Sequence, residues 1–369
     1  MNKKYPRFIY IPLRETVNGC MRIEYEIENG KLNSPTVDYS SEKLSDSSVL
    51  ILNSYMKNIP LVSRLSFTDN YACEELYASA LEELMNIEVP EVAKYLRVMI
   101  LELSRISGFF LYMFNVASAM EFEMVKIWAL SDMNRIRKYI SLIKGDEYFS
   151  PYIIPGGVSG GVLSHTMNQI YYDLEKIQIR MKDYDKLFFE NEIFKLKTKN
   201  VGVISKQVIT DYGITGFISR SANITFDVRK KLPYEIYHET PIENRVYDKS
   251  DCYSRIMSKK NDMDNSIRIL DYLFSNIPRG SIFLNRDAYS LDKINIPEGR
   301  SVKRVEAANG EFICFVESDG TDKPKIIKFR SPMYITGGNF LNMILEQTSL
   351  DDIDIVLASL SLMPMEMNI

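Results

Sequence analysis

Two different spacings of apolar residues divide the chain into a strand-forming beginning, a long helical middle and a mixed end. In CMRIEYEIENG (20–30), apolar and charged residues alternate, which predicts a half-buried β-strand. The dipeptide Asn29-Gly30 at its end is typical of a hairpin turn. The apolar stretch FIYIPL (8–13) predicts a partner strand. The N-terminal part is therefore expected to be a small antiparallel sheet.

From about Asp69 onward, apolar residues recur three and four positions apart, which is the spacing of helices. This pattern predicts helices over 69–86, 90–120, 121–145, 165–197 and 248–278. Gly145 and Pro278 are stop signals for two of them. The helix that begins at Pro90 is apolar on nearly all sides, so we expect it to be a central helix buried on most faces.

The last part alternates again, and 310–320 and 323–332 are predicted as two strands around Asp319-Gly320. Short helices are predicted over 339–347 and 351–363. The expected fold class is α+β, a long central helical bundle flanked by small antiparallel sheets. We predict a single domain over 1–369, with a β-rich part (1–66), a helical core (67–278) and a C-terminal α+β part (279–369).

Composition and charge narrow the possible partners. The chain has 369 residues, 46% hydrophobic and 25% charged, with a net charge of −4. No strongly basic stripe is present, which argues against nucleic acid as a partner. The four cysteines form no C-x-x-C pair and there are only two histidines, so no metal site is expected. The most apolar stretch carries Glu102 and Arg105, so no transmembrane segment is expected.

A glycine run in SPYIIPGGVSGGV (150–162) raises the question of a phosphate-binding loop. A Walker-type loop needs a lysine after its last glycine, and a dinucleotide-binding fingerprint needs the spacing G-x-G-x-x-G between a strand and a helix. Neither pattern is present. We therefore expect glycines that adopt positive φ or let the backbone pass close to packed helices.

Several segments, in order and spacing, resemble one family over almost the whole chain. They include the helix VPEVAKYLRVMILELSRI (89–106), the turn YIIPGGV (152–158), the stretch NVGVISKQVITDYGITGFISRSANITFDVRKKLPYEIYHE (200–239) and NGEFICFVESDGTDKPKIIKFRSP (309–332). The family is that of the D subunit of complex I, the NADH–quinone oxidoreductase, which shares ancestry with nickel–iron hydrogenase large subunits. The resemblance implies a hydrogenase-large-subunit-like fold.

The resemblance also implies a place in a larger assembly. Such a subunit lies at the junction of the hydrophilic and membrane arms and forms a quinone cavity with a neighbouring subunit that carries an iron–sulfur cluster. It implies no cofactor bound by this chain itself, partners among the peripheral and membrane subunits of a complex I-type assembly, and no catalysis by the chain alone. The implied location is peripheral to the membrane, on the cytoplasmic side of the bacterial inner membrane or the matrix side of the mitochondrial one.

This sequence departs from the family at the positions that the resemblance assigns to the quinone. A family histidine falls on Asn18, the tyrosine of the R-x-D-Y pattern falls on Phe67, and the aspartate of S-L-D-P falls on Ser361. Ile154 stands where the family has an arginine before the turn glycines Gly156 and Gly157. A quinone head group needs hydrogen-bond donors and protons as it is reduced, and these losses argue against conventional quinone reduction at this site.

Other charged residues of the family are kept. Glu102 and Arg105 lie three apart on the central helix and are interpreted either as an internal strut or as a link in a proton-coupling relay. Arg220, Asp227 and Arg229 could be packing ion pairs or could face the cavity and a partner subunit. The absence of cysteine pairs excludes nickel–iron chemistry. The function expected first is that of a divergent D subunit; the alternative is a catalytically degenerate scaffold subunit of a hydrogenase-related membrane oxidoreductase.

Overall fold

The computed structural model describes residues 8–10, 21–39, 48–145, 150–284 and 294–367. Its strands are β1 (Phe8–Tyr10), β2 (Arg22–Glu28), β3 (Lys31–Asp38), β4 (Ile153–Ile154), β5 (Gly157–Val158), β6 (Gly299–Ala307), β7 (Gly310–Ser318) and β8 (Pro324–Arg330). Its helices are α1 (Ser48–Leu52), α2 (Tyr55–Val62), α3 (Asn70–Met85), α4 (Glu91–Ala119), α5 (Glu123–Lys144), α6 (Ser164–Tyr184), α7 (Glu192–Thr198), α8 (Lys206–Asp211), α9 (Gly216–Arg220), α10 (Val228–Lys231) and α11 (Cys252–Asn276). Three short helices follow near the C-terminus: Pro332–Thr336, Asn339–Leu345 and Ile353–Ser359.

The N-terminal sheet has the predicted hairpin at its centre. Strands β1, β2 and β3 pair antiparallel in that order, with Ile23 opposite Val37. Asn29 and Gly30 form the turn with φ values of 52° and 76°, the left-handed conformation that an Asn-Gly turn requires. The alternation of apolar and charged residues therefore predicted this sheet correctly. The stretch predicted as the β-rich part also contains α1 and α2.

The helical core is built around α4, which is buried along nearly its whole length. Helix α3 begins and ends within one residue of its predicted bounds, 69–86. Helix α5 ends within one residue of its predicted end and begins at Glu123, two residues after its predicted start. Gly145 ends α5 in the left-handed conformation at φ 84°, as the stop signal indicated. Helix α11 also packs on α4 and begins after Asp251, whose carboxylate accepts a hydrogen bond from the Ser254 amide.

The prediction of one helix over 165–197 is wrong at its end. Helix α6 ends at Tyr184, a π-helical turn occupies Asp185–Phe189, and a new helix begins at Glu192. The Asn191 side chain caps this new helix by accepting a hydrogen bond from the Ile193 amide at 2.8 Å. The break brings aromatic rings together in the core, with the centroids of Phe188 and Phe194 4.7 Å apart. Aromatic packing thus interrupts a helical pattern that is continuous in sequence.

The C-terminal sheet has three strands, β6, β7 and β8, where the pattern predicted only the last two. Strand β6 was missed because its segment, GRSVKRVEA, carries charged residues on both faces. Two of these residues differ in burial. Lys303 pairs with the carboxylate of Glu83 near the surface, whereas Glu306 is fully buried. The sheet packs against α3 and supplies part of the buried charge network described below.

The glycine run forms a short hairpin of β4 and β5 rather than a phosphate-binding loop. Gly156 has φ of 89° and Gly157 φ of 156°. A Cβ atom on Gly157 would lie 2.3 Å from the carbonyl oxygen of Ile282, so only glycine allows this close backbone approach. The expectation of glycines with positive φ beside packed backbone is therefore confirmed.

Candidate functional site

A cavity of about 280 Å³ lies among segments that are far apart in sequence. Its walls come from the end of α2 and the loop that leads into α3, from α4, from α5, and from Met365 near the C-terminus. The volume is close to the lower end of small-molecule pockets, about 300–1,000 Å³. The cavity is thus large enough for the head group of a small ligand.

The chemistry of the cavity wall combines hydroxyl groups with positive charge. Ser63, Ser66 and several further hydroxyl side chains line it. Among the lining residues that the structure describes, the ionised side chains are Arg64, Arg137 and Lys144. Such a wall favours a ligand that accepts hydrogen bonds and gains negative charge.

Phe67, predicted as a quinone-site position, lies in this wall. Its side chain is 41% exposed, and the guanidinium carbon of Arg137 lies 5.1 Å from the centre of its ring. A cation over a ring face at this distance is attracted by the π electrons. Phe67 offers an apolar face but no hydroxyl group, so any hydrogen bond to a ligand must come from its neighbours.

Behind Ser63 lies a buried carboxyl group, that of Glu74 on α3. The Ser63 hydroxyl donates to Glu74 Oε1 at 2.7 Å. Glu74 Oε2 accepts from the amides of Tyr152 and Ile153 at 3.0 and 2.9 Å. Burial raises the pKa of Glu74 to about 7, against the lowering effect of these hydrogen bonds. This carboxyl group therefore titrates near neutral pH one hydroxyl away from the cavity.

Behind Ser66 lies a second buried carboxyl group, that of Glu366. The Ser66 hydroxyl donates to Glu366 Oε1 and accepts a hydrogen bond from the Asp69 amide at 2.9 Å. Burial, followed by the nearby charge of Asp69, raises the pKa of Glu366 to about 8. Burial lowers the pKa of Lys259, which also faces this group, to about 8.

The charges predicted at the central helix form one buried network. Glu102 accepts from Arg105 Nε at 3.1 Å, Arg229 Nη1 at 3.4 Å and the Tyr237 hydroxyl at 2.6 Å. The Ser266 hydroxyl adds a fourth donor. Burial alone would raise the pKa of Glu102, but the neighbouring cations and hydroxyls outweigh burial and hold it below its ordinary value. Glu102 is thus an ionised and fully hydrogen-bonded acceptor.

Arg220 and Asp227 extend this network. Arg229 binds both oxygens of Asp227, at 3.1 and 2.9 Å, in a bidentate pair. Arg220 donates to Glu306 Oε1 at 3.0 Å and to Asp262 Oδ2 at 2.7 Å. All of these side chains are buried in the chain. Of the two interpretations left open for Arg220, Asp227 and Arg229, this geometry supports internal ion pairs, and it brings none of the three into the cavity wall described above.

The turn with Ile154, Gly156 and Gly157 covers another buried cation, Arg97 of α4. Arg97 donates to the carbonyl oxygens of Ile154 and Gly157 at 2.9 and 3.0 Å. It also binds both oxygens of Glu82, while the Gly156 amide donates to Glu82 Oε1 at 2.7 Å. The guanidinium of Arg97 therefore lies directly against the backbone of the turn that carries Ile154.

The remaining predicted site residues are placed as follows. Ser361 is buried, with φ of 55°, and is not among the described lining residues, although Met365 four positions later is. Asn18 lies outside the described residues, as do the rest of 11–20 and 40–47. His238 is exposed. Tyr237 is a buried aromatic residue, and its hydrogen bond to Glu102 makes it a member of the charge network.

Several residues of the site were missed in the sequence: the lining residues Ser63, Ser66, Arg137 and Lys144, and the buried residues Glu74, Arg97 and Glu366. Glu74 and Arg97 were detectable in principle, because each is a charged residue on a helix face that is otherwise apolar. Glu366 gave no such signal, since it meets Ser66 across 300 positions of sequence.

Two general features of the described residues bear on function. They contain no group of three or more histidine, cysteine, aspartate or glutamate side chains that could hold a metal ion. Within the same residues, no helix combines the length and the apolar character needed to cross a bilayer.

Comparison with known proteins places the chain beside subunits of respiratory complexes. The family model described as respiratory-chain NADH dehydrogenase, 49 Kd subunit, matches residues 123–368. The D subunit of NADH-quinone oxidoreductase from Ehrlichia canis (strain Jake) is 28% identical over 347 residues, which cover 87% of each chain. The D subunit of F(420)H(2) dehydrogenase from Methanosarcina mazei is 26% identical over 320 residues, covering 86% of each.

A solved structure shares the fold over the whole length. A chain of the membrane-bound sulfane sulfur reductase, an archaeal respiratory membrane complex, superposes with a TM-score of 0.95 at 23% identity and covers 100% of both chains. The expected α+β class, with long helices flanked by small antiparallel sheets, is confirmed.

Proposed function

The chain belongs to the family of the respiratory-chain NADH dehydrogenase 49 kDa subunit, and we propose that its cavity receives the head group of a quinone at the junction of a complex I-type oxidoreductase. Its relatives are the D subunits of NADH-quinone oxidoreductases and related subunits of archaeal respiratory complexes. The chain is accordingly a D subunit of the complex I type.

One observation carries the proposal: the cavity wall matches what a reducible quinone requires. The face of the Phe67 ring suits a planar head group, and the hydroxyls of Ser63 and Ser66 suit its carbonyl oxygens. The positive charges of Arg137 and Lys144 stabilise the negative charge that reduction places on those oxygens. These groups face a cavity of about 280 Å³, room for a head group but not for its whole isoprenoid tail.

We propose that the electrons come from an iron–sulfur cluster in an adjacent subunit, as the resemblance to the family implies. The family belongs to multi-subunit respiratory complexes with peripheral and membrane subunits. In our proposal the chain sits peripherally on the membrane, on the cytoplasmic or matrix side, between the iron–sulfur subunit and the membrane subunits.

Blocking the cavity tests this function. Ser141 of α5 lines the cavity, and its neighbour Leu142 points outward with 49% of its surface exposed. In the purified complex, the cluster is reduced with dithionite, decylubiquinone is added, and reoxidation is followed by electron paramagnetic resonance. Ser141→Trp is expected to slow reoxidation at least tenfold, while Leu142→Trp is expected to leave it at the wild-type rate.

The scaffold alternative predicts a different result. If the chain only holds other subunits together, the complex reduces decylubiquinone at the same rate with Ser141→Trp as without it, or does not reduce it at all. Either outcome would overturn the proposed function.

A further inference from the structure

We infer that Glu74 and Glu366 are the two proton donors for the ligand reduced in the cavity, and that Ser63 and Ser66 relay their protons. The inference rests on the proposed function and names the residues that replace the family's missing donors. Each carboxyl group is separated from the cavity by a single serine hydroxyl. The two pairs reach the cavity from the same loop, three residues apart.

The pair of Glu366 and Ser66, here called the Glu366 arm, includes a carboxylate oxygen without a hydrogen-bond partner, which disfavours the ionised form of Glu366. Glu366 is 2% exposed, and its Oε2 has no hydrogen-bond partner among the described residues. The same holds for Oδ2 of the neighbouring Asp69, whose other oxygen accepts from the Ala308 amide at 2.8 Å. Lys259 is the cation near both carboxyl groups, and Arg105, a second cation near Asp69, is already paired with Glu102. Ionising both carboxyl groups at once would therefore carry a large cost. One proton therefore resides on this pair.

The proton belongs on Glu366 rather than on Asp69. The Ala308 amide stabilises the ionised form of Asp69, whereas Glu366 meets only a hydroxyl, that of Ser66. Burial raises the pKa of both carboxyl groups, to about 8 for Glu366. The charged or titratable groups that face Glu366 are Asp69, Lys259 and the thiol of Cys73.

In the pair of Glu74 and Ser63, here called the Glu74 arm, the hydrogen bonds leave Oε1 of the carboxyl group available for a proton. Two backbone amides bind Oε2, which leaves Oε1 to exchange a proton with the Ser63 hydroxyl. The groups that face Glu74 are Lys144 from α5 and Cys73 from α3. Burial raises the pKa of Glu74 to about 7, so the carboxyl group is partly protonated at neutral pH and reloads readily.

The proton count matches the chemistry of the proposed reaction. Reduction of a quinone to a quinol consumes two protons and two electrons, and the cluster of the neighbouring subunit delivers the electrons one at a time, being reduced again by its own electron donor between the two transfers. Ser66 passes its proton to one carbonyl oxygen and takes the Glu366 proton in its place; Ser63 does the same for the other oxygen with Glu74. The resulting carboxylates face Lys259 and Lys144 respectively, which limits the cost of their charge.

Reloading requires contact with water. Ser63 is partly exposed and Arg64 is exposed, so the Glu74 arm borders solvent at the cavity mouth. The Glu366 arm has almost no contact with bulk solvent, since Ser66 and Glu366 are both 2% exposed. Glu366 therefore regains its proton through the cavity after the product leaves.

A single-turnover experiment on the assembled complex tests the relay. The reduced complex is mixed with decylubiquinone, and the rate constant of oxidation is measured from pH 6 to pH 9. Because both donors must be protonated, the wild-type rate constant is expected to fall as the pH rises through the pKa values of about 7 and about 8. Glu74→Gln and Glu366→Gln are each expected to lower the rate constant about 100-fold, the lower end of the range for loss of a general acid. Each variant is also expected to lose one of the two decreases of the rate constant with rising pH.

Matched variants separate proton relay from structure. Ser66→Ala and Ser63→Ala keep the carboxyl groups but break the relay, so they are expected to resemble the glutamine variants. Glu366→Asp keeps an acid and is expected to recover part of the rate with its pH step retained. Ser104→Ala removes another hydroxyl from the same wall, one that donates to the Thr68 carbonyl at 3.0 Å, and is expected to keep both pH steps.

A spectroscopic readout is independent of turnover. In redox-difference infrared spectra of the complex, a protonated-carboxyl stretch is expected to disappear on oxidation of the cluster by quinone. Glu366→Gln and Glu74→Gln should each remove part of that band. If the wild-type complex reduces decylubiquinone but the glutamine variants keep the rate, the pH steps and the band, the relay is wrong while the proposed function stands. If the wild type does not reduce decylubiquinone, the proposed function itself fails.

Discussion

Replacing Glu102 by glutamine distinguishes the two roles considered for the charge network, a strut or a proton-coupling relay. The carboxylate is fully buried and accepts from Arg105, Arg229, Tyr237 and Ser266. Glutamine has nearly the same shape, but it loses the charge and presents an NH₂ group to donors. Arg105 and Arg229 then stay buried with less compensation.

The size of the effect follows from burial. Removing one partner of a buried ion pair costs about 3–5 kcal/mol, because the other charge is left in a low-dielectric interior. The same helix carries a matched surface pair, Glu91 and Lys94, at 3.2 Å and the same spacing of three. An exposed pair of this kind contributes about 0–1 kcal/mol. Glu91→Gln is therefore the control for Glu102→Gln.

Urea unfolding of the purified chain measures both variants, with the fluorescence of its single tryptophan, Trp128, as the signal. Glu102→Gln is expected to lower the free energy of unfolding by about 3–5 kcal/mol. Because the folded pKa of Glu102 is below its unfolded value, the stabilisation is fully present above an unfolded pKa of about 4.3 and is lost as the pH falls through the folded pKa. The difference between wild type and variant should therefore shrink in acid.

A loss below 1 kcal/mol, equal to that of Glu91→Gln, would refute the strut interpretation. If the stability were kept while quinone reduction by the complex was lost, Glu102 would be a relay residue instead.

Two further substitutions test other parts of the account. Gly157→Ala forces a Cβ atom to within 2.3 Å of the Ile282 carbonyl oxygen at positive φ, and thermal unfolding should show a loss of about 2–4 kcal/mol. Gly160→Ala, whose nearest neighbour would be 3.9 Å away, should change stability by less than 1 kcal/mol, and equal losses would contradict the steric argument. Phe67→Leu removes the ring under Arg137 and should cost less than about 1 kcal/mol of stability, while raising the KM for decylubiquinone. An unchanged KM would count against contact between Phe67 and the ligand.

How far the sequence predicts the fold depends on whether the decisive contact is local. The Asn29-Gly30 turn and the burial of α4 are local or periodic features, and both were predicted. The break near Glu190 and the strand β6 depend on tertiary packing, which overrides the local pattern, and both were missed. Local signals thus determine most elements, while packing between distant segments determines the exceptions.

The same distinction between local signals and contacts of distant segments applies to the candidate site. Phe67 could be assigned to the site because it stands in a recognisable family pattern, and the structure puts it in the cavity wall. Glu366 could not, because its role depends on meeting Ser66 from the other end of the chain. Arg97 stands out in the sequence as a charge on an apolar helix, but only the structure shows its carbonyl partners under the turn.

Photoaffinity labelling of the intact complex with an azido-quinone tests the central claim, that this cavity receives the quinone. Adducts are expected on the cavity segments 63–71, 104–111 or 137–144, decylubiquinone is expected to compete with the label, and the label is expected to be lost in Ser141→Trp but not in Leu142→Trp. Labelling confined to other subunits, or labelling of this chain that survives Ser141→Trp and excess decylubiquinone, would contradict it.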